Sequence, residues 1–284
     1  MRKELRYGKD LVGVAVLAGG KSSRMGQDKT RLLFHGETFL EHIMREFSGF
    51  PEKLLSVAKD MDAAKIIGAA SLADGSYIKD GADIMGDAEI IDGTNHHGAV
   101  KQSLVDGWRV VPDLSEDCGP LGGIASCLKV CTSPWLFVLS CDLPRCSSDF
   151  ISFLMDKASE YVTASGDTVT SEGIARLGDT TASENATTSE SATISENTKI
   201  SEGADLLIPV TSDGKKHMTA ALYKKDLYRI MEEQLAARNY RLRDLCKKCR
   251  TITVPIEDET YARMLFNVNT PQDYMELCGE GKDA

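Results

Sequence analysis

The chain has 284 residues, 42% of them hydrophobic, enough for one large α/β domain or two small ones around a sizeable core. Its formal net charge of −10 argues against nucleic-acid or anionic-membrane binding, because both need a basic surface. Its eight cysteines include a single C-x-x-C, Cys246 to Cys249, with no second one to complete a zinc site, and they read as reduced thiols of a cytoplasmic protein.

The N-terminus opens with the basic "MRKELRYGKD" and the apolar "LVGVAVLA". The apolar stretch is short, Asp10 interrupts the approach to it, and a glycine-basic loop follows directly, so it reads as a first core strand and not a signal peptide. No stretch approaches the ~18 apolar residues of a membrane span. The strand Val12–Ala18 runs into Gly19-Gly20, then Lys21, Arg24, Lys29 and Arg31. Gly20-Lys21-Ser22 ends like a P-loop, but the first glycine of that pattern would fall at Ala15, so the spacing excludes it. The dinucleotide fingerprint G-x-G-x-x-G fails as well. Adjacent glycines beside a run of cations still suit a phosphate, because their N–H groups can form an anion-binding concavity; a solvated basic turn is the other reading.

Further along, "RLLFHG" predicts a short strand and turn, and Thr38 with Glu41 predicts a capped helix carrying Phe39, Ile43, Met44 and Phe47 on its apolar face. "EKLLSVAKD" and "WRVVPD" read as strands, the second ending at Asp113. "GPLGGIASCLKVC" reads as a glycine turn entering a helix, and "SPWLFVLSCDLP" as a strand ending at Asp142. "SSDFISFLMDKASEY" predicts a helix capped by Ser147 or Ser148, "ADLLIPV" a strand, and "YKKDLYRIMEEQLAA" a helix. Strands alternating with helices give an α/β class with a mostly parallel sheet, whose ligands sit beyond the carboxyl ends of the strands. The Gly19 turn, Asp113 and Asp142 each follow such an end. Asp142, facing a phosphate loop, suits Mg²⁺, which takes one or two carboxylates plus phosphate oxygens; a helix-capping aspartate is the alternative.

Two segments break the alternation. Ile66, Leu72, Ile78, Ile84 and Ile90 recur every six residues, with small residues at Ala70, Ser76, Ala82, Ala88 and Thr94. From Ala182 the period returns, with Ala186, Ala192, Thr198 and Ala204 in the small place. Such hexads resemble the repeats of parallel β-helices, whereas the Ser/Thr/Glu-rich second segment also fits a solvated insertion. Both read as insertions, about 62–106 and about 163–204, into a single domain spanning 1–284.

"LAGGKSSRMGQDK" resembles the signature of the nucleotidyltransferases that act on molybdopterin, in particular the molybdenum cofactor guanylyltransferases. "VVPDLSEDCGPLGGI", "LFVLSCDLP", "DGKKHMTAALY" and "FNVNTPQDY" resemble that family's further motifs in the same order. The resemblance implies a nucleotidyltransferase fold, a Rossmann-like three-layer sandwich with a mostly parallel sheet. It implies that Leu17, Ala18 and Gly19 contact guanine and ribose through backbone groups, with Gly20 continuing the turn. Lys29 and Arg24 would hold nucleotide phosphate, Asp113 the nucleoside, and Asp142 Mg²⁺ and phosphate. His217, Asn267 and Asn269 would lie towards the pterin. The implied reaction joins GMP from GTP to the terminal phosphate of molybdenum-molybdopterin and releases pyrophosphate, with molybdopterin-transfer proteins or an apo-molybdoenzyme as downstream partners.

The chain departs from the family pattern at Met218, where proline usually follows the histidine, and at Ala58-Lys59, where an asparagine often stands. A cytidylyltransferase for the same pterin is the nearest alternative; its relatives carry L-A-A-G where this chain has Leu17-Ala18-Gly19-Gly20. A sugar-1-phosphate nucleotidyltransferase and a nucleotide-binding adaptor that delivers molybdenum cofactor are further alternatives. Intact Asp142 weighs against the adaptor.

Overall fold

The computed structural model describes residues 11–18, 32–58, 104–105, 107–114, 117–164 and 204–279. Gly19, Gly20, Arg24 and Lys29 lie outside that set, as do the two expected insertions apart from residues 104–105, 163–164 and 204.

The first strand, β1 (Val12–Leu17), is buried along its whole length. Its alternation divides it between two cores: Val12, Val14 and Val16 face one, Ala15 and Leu17 the other. A residue pattern apolar on both faces is what a strand covered by helices on either side requires. A tight hairpin follows, β2 (Leu33–Phe34) and β3 (Glu37–Thr38), turning through His35 and Gly36, both at positive φ. Helix α1 (Phe39–Glu46) starts on the expected capping box, in which Thr38 Oγ1 accepts from the Glu41 N–H and Glu41 accepts from the Thr38 N–H. Then come β4 (Lys53–Val57), β5 (Leu104–Val105), β6 (Trp108–Pro112) and α2 (Gly119–Val130). Strand β7 (Trp135–Ser140) is followed by α3 (Asp149–Ala164), β8 (Leu206–Thr211), β9 (Ala220–Lys224) and α4 (Leu227–Ala236). A 3-10 turn (Leu242–Lys247), β10 (Thr251–Ile256), α5 (Glu259–Met264) and α6 (Pro271–Gly279) complete the described elements.

Eight strands form one sheet in the order β10-β8-β9-β7-β1-β4-β6-β5. Six run parallel to one another, while β9 and β5 run against their neighbours. Helices α1 and α3 cover one face, and α2, α4 and the 3-10 turn cover the other, which makes the three-layer α/β sandwich expected. From β1 the chain proceeds outward through β4 and β6, then returns to the opposite side of β1 with β7. The crevice at the carboxyl ends of β1 and β7 is therefore a topological switch point, the place where open α/β sheets bind ligands.

Some elements differ from the sequence reading. Tyr223 and Lys224, expected to open a helix, are the last residues of β9, and the helix starts only at Leu227. The run Ala220–Tyr223 is fully buried between two strands, so burial overrides helix propensity. Strand β10 and helices α5 and α6 have no counterpart in the reading. At the start of α3, Ser148 Oγ donates to Glu46 Oε1 and Ser147 Oγ lies 3.6 Å from Met264 Sδ, so both hydroxyls tie the helix to neighbouring elements. Leu104 and Val105, the end of the first expected insertion, pair with β6 at the edge of the sheet.

Candidate active site

Three parallel strand ends form one side of the crevice. At the end of β1 the Ala18 N–H donates to Ser56 O (2.9 Å), and Leu17 O accepts from the Cys141 N–H (3.2 Å). These bonds lock β1 between β4 and β7. At the end of β6 the Asp113 N–H donates to Val57 O (2.9 Å), while its carboxylate Oδ1 accepts from Ser56 Oγ at 2.6 Å. The next residue is held from the other side, with the Leu114 N–H donating to Ser126 Oγ of α2 (2.9 Å). Burial pushes the Asp113 carboxyl above its ordinary value, and the Ser56 hydroxyl pulls part of the way back.

Helix α2 can reach these strand ends because of Gly123. A Cβ there would meet Ser56 Oγ at 2.5 Å, Asp113 Oδ1 at 3.1 Å and Leu17 Cδ2 at 3.3 Å. The "GPLGG" stretch thus provides close approach of a helix to the ends of β1, β4 and β6.

The other side is built around Asp142, two residues past β7. Its carbonyl accepts from the Val268 N–H (2.9 Å), which brings Asn267 and Asn269 beside it. Those asparagines are fixed in turn: Asn269 Nδ2 donates to Asn267 Oδ1 (2.6 Å), and the N–H groups of Asn269 and Thr270 both donate to Asp273 Oδ2 at 2.8 Å. The Asp273 N–H returns a bond to Thr270 Oγ1, so "NTPQD" is a helix start that orients a pair of amides. Arg145, three residues past Asp142, lies over the Phe266 ring at 5.1 Å and helps to line a cavity of about 510 Å³ with Glu259, Thr260, Arg263 and Met264.

His217 stands on the same sheet edge, in the β8–β9 connection. Its Nε2 lies 3.1 Å from Thr211 Oγ1, and Thr211 also bonds Asp213 Oδ1 at 2.6 Å. Burial, reinforced by the positive charge of Lys215 and opposed by Asp213, lowers its pKa to about 4, so the ring is neutral at pH 7. A neutral ring can offer an anion a hydrogen bond but no charge. Met218, in the family's proline place, packs against the core on the α2 side, and its carbonyl accepts from Tyr223 Oη (2.6 Å).

The donor set fits a hard divalent cation that substrate helps to hold. Asp142 and the two amides offer oxygen ligands, while no group of three or more His, Cys, Asp or Glu side chains among the described residues forms a complete protein cage. Mg²⁺ binds in this manner, through one or two carboxylates, substrate phosphate oxygens and water. All eight cysteines are free thiols, five of them buried. Among the described residues no helix is long and apolar enough to cross a membrane.

The structure thus brings Leu17, Ala18, Asp113, Asp142, His217, Asn267 and Asn269 to one edge of the sheet. The reading missed Ser56, Ser126 and the contact role of Gly123. A signal for Ser56 was available, because it is the one polar residue within the buried run Leu54–Val57.

The family model of the MobA-like NTP transferase domain matches residues 14–172. A protein of Carboxydothermus hydrogenoformans named "Probable molybdenum cofactor guanylyltransferase" is 23% identical over 268 residues, 93% of each chain. One of the same name from Flavobacterium johnsoniae is 28% identical over 147 residues, 51% of this chain and 55% of that one. Among solved structures, molybdopterin-guanine dinucleotide biosynthesis protein A from Archaeoglobus fulgidus superposes with a TM-score of 0.59 at 16% identity, covering 96% of this chain and 100% of that one.

Proposed function

The chain belongs to the MobA-like NTP transferase domain family, and from that premise we propose that this nucleotidyltransferase moves GMP from GTP to the terminal phosphate of molybdenum-molybdopterin. The observation that carries the reading is the convergence of Leu17–Ala18, Asp113 and the Asp142–Asn267–Asn269 group on one switch-point crevice. The names of the relatives supply the choice of guanine and of the pterin.

In the proposed reaction an oxygen of the acceptor phosphate attacks the α-phosphorus of GTP. The bond from that phosphorus to the bridging oxygen breaks, and pyrophosphate leaves with the electron pair. No protein nucleophile is needed, so the chain contributes position and charge. Asp113, tied to Ser56, accepts hydrogen bonds from the nucleoside. Lys29 and Arg24 neutralise nucleotide phosphate, with Gly19 and Gly20 allowing close backbone approach. Asp142 would hold Mg²⁺, which supplies Lewis-acid stabilisation of the phosphate charge when bound. Asn267, Asn269 and neutral His217 orient the acceptor by hydrogen bonds.

Thermal unfolding with Mg²⁺ and each of GTP, CTP, ATP and UTP tests the nucleotide. A ligand at 100 times its Kd stabilises by about 2.7 kcal/mol. A Mg²⁺-dependent shift with GTP alone is expected, followed by GTP-dependent pyrophosphate release on adding molybdenum-molybdopterin. A shift with CTP alone would move the chain to the cytidylyl branch.

A further inference from the structure

We infer that Ser56 is a positioning residue for nucleotide recognition: it holds the nucleoside-contacting groups of two strand ends in one geometry and acts through Asp113. The inference rests on the reading of Asp113 as the nucleoside contact and adds the residue that sets it.

Ser56 is 2% exposed and lies on β4, between β1 and β6. Its main chain and its side chain serve different neighbours. Its carbonyl accepts the Ala18 N–H (2.9 Å), fixing the last described residue before the glycine turn. Its hydroxyl donates to Asp113 Oδ1 (2.6 Å). A buried hydroxyl this close to a carboxylate makes a charge-assisted bond, stronger than one between neutral groups. The carboxylate keeps further acceptor sites for a ligand, since an ionised carboxylate offers about four. An aspartate so held presents acceptors only, which demands N–H or O–H donors from the nucleoside.

Among the described residues no other side chain grips the carboxylate in this way. Val57 O and Ser126 Oγ hold backbone N–H groups on either side of the Asp113 carbonyl and fix the main chain, but not the side-chain rotamer. Gly123 closes the arrangement, because a side chain there would push on Ser56 Oγ first. The titratable group facing Asp113 from α2 is the Cys127 thiol, which burial keeps protonated, while β1 and β4 face it with Leu17 and Ser56. Without the Ser56 hydroxyl, burial alone acts on Asp113, and its protonation moves to higher pH.

The experiment is a double-mutant cycle on the full chain, reading GTP affinity in Mg²⁺ by calorimetry from pH 5 to 8. Ser56→Ala is expected to weaken GTP binding about tenfold, the loss of one hydrogen bond to a charged group, and to move the acid limb of the binding profile upward. Because Ser56 works through Asp113, the Ser56→Ala/Asp113→Ala pair should bind no more weakly than Asp113→Ala alone. Gly123→Ala, which crowds the hydroxyl without removing it, should repeat the affinity loss of Ser56→Ala. Wild-type affinity in Ser56→Ala while Asp113→Ala is weakened, or losses that add in the pair, would overturn the positioning role. Unchanged affinity in Asp113→Ala would instead overturn the reading of Asp113 itself, and the inference with it.

Discussion

Glu52 and Asp113 are half-buried carboxylates at opposite edges of one sheet, on neighbouring strands. Glu52 precedes β4 at the amino edge and Asp113 follows β6 at the carboxyl edge. Glu52 is saturated: it accepts from the Thr132 N–H (2.6 Å), Thr132 Oγ1 (3.0 Å), the Ser133 N–H (2.7 Å) and Cys131 Sγ (3.2 Å). Burial raises its pKa, but these donors outweigh burial and leave it below the ordinary value. Among the described residues Asp113 accepts a single side-chain bond, from Ser56 Oγ, and burial wins. The same residue chemistry therefore gives a clamp at one edge and a carboxylate with acceptor sites to spare at the other. A perturbed group of the second kind is a functional-site candidate, because it can gain partners when a ligand arrives.

That contrast can be broken by mutation. The largest effect belongs to the carboxyl edge: Asp142→Ala is expected to cut GTP-dependent pyrophosphate release about a thousandfold while the unfolding midpoint stays near wild type. Release at near the wild-type rate would remove Asp142 from the metal role. At the amino edge, Glu52→Ala should cost about 3 kcal/mol of stability, because several donors and the loop before β7 lose their acceptor. Urea unfolding measures that loss, and GTP affinity of the surviving folded protein should be unchanged. Asp113→Asn should do the reverse, with GTP affinity down about a hundredfold and stability kept or raised, since it removes a desolvated charge. If Asp113→Asn unfolds the protein and Glu52→Ala abolishes binding, the two edges have been assigned the wrong way round.

Much of this was legible beforehand, for identifiable reasons. Strands β1 and β7 announce themselves because both faces are buried, which requires near-continuous apolar runs. The Thr38–Glu41 box and the glycine-rich entry to α2 are local signals that the structure keeps. Strand β9 was hidden because "AALYKKDLYRIMEEQL" carries helical periodicity beyond Leu227, and only pairing with β7 and β8 pulls its first residues into the sheet. The candidate aspartates were readable as strand ends. Ser56 was legible only as a polar residue in a buried strand, because its partner Asp113 lies 57 positions away and the helix that closes on it is brought near by Gly123. Contacts of that separation leave no periodic trace in a single sequence.

The smallest effect sharpens the comparison through pH. His217 is 7% exposed and its folded pKa is lowered to about 4 from 6.5, so the folded state binds fewer protons than the unfolded chain between those values. Its contribution to stability is present above pH 6.5 and is lost as pH falls toward 4, amounting to about 2 kcal/mol by pH 5. Glu52 has a lowered pKa, so its contribution is lost only below its unfolded value of 4.5. Asp113, with a raised pKa, has the opposite sign: its protonation in acid favours the folded state. Acid destabilisation from pH 7 to 5 should therefore come from the carboxyl edge at His217, and the amino edge should enter only below that range. Urea midpoints of wild type and His217→Gln across pH 5 to 7.5 separate the two. The variant should show a flatter profile over this window, whereas equal slopes would place the early acid loss elsewhere.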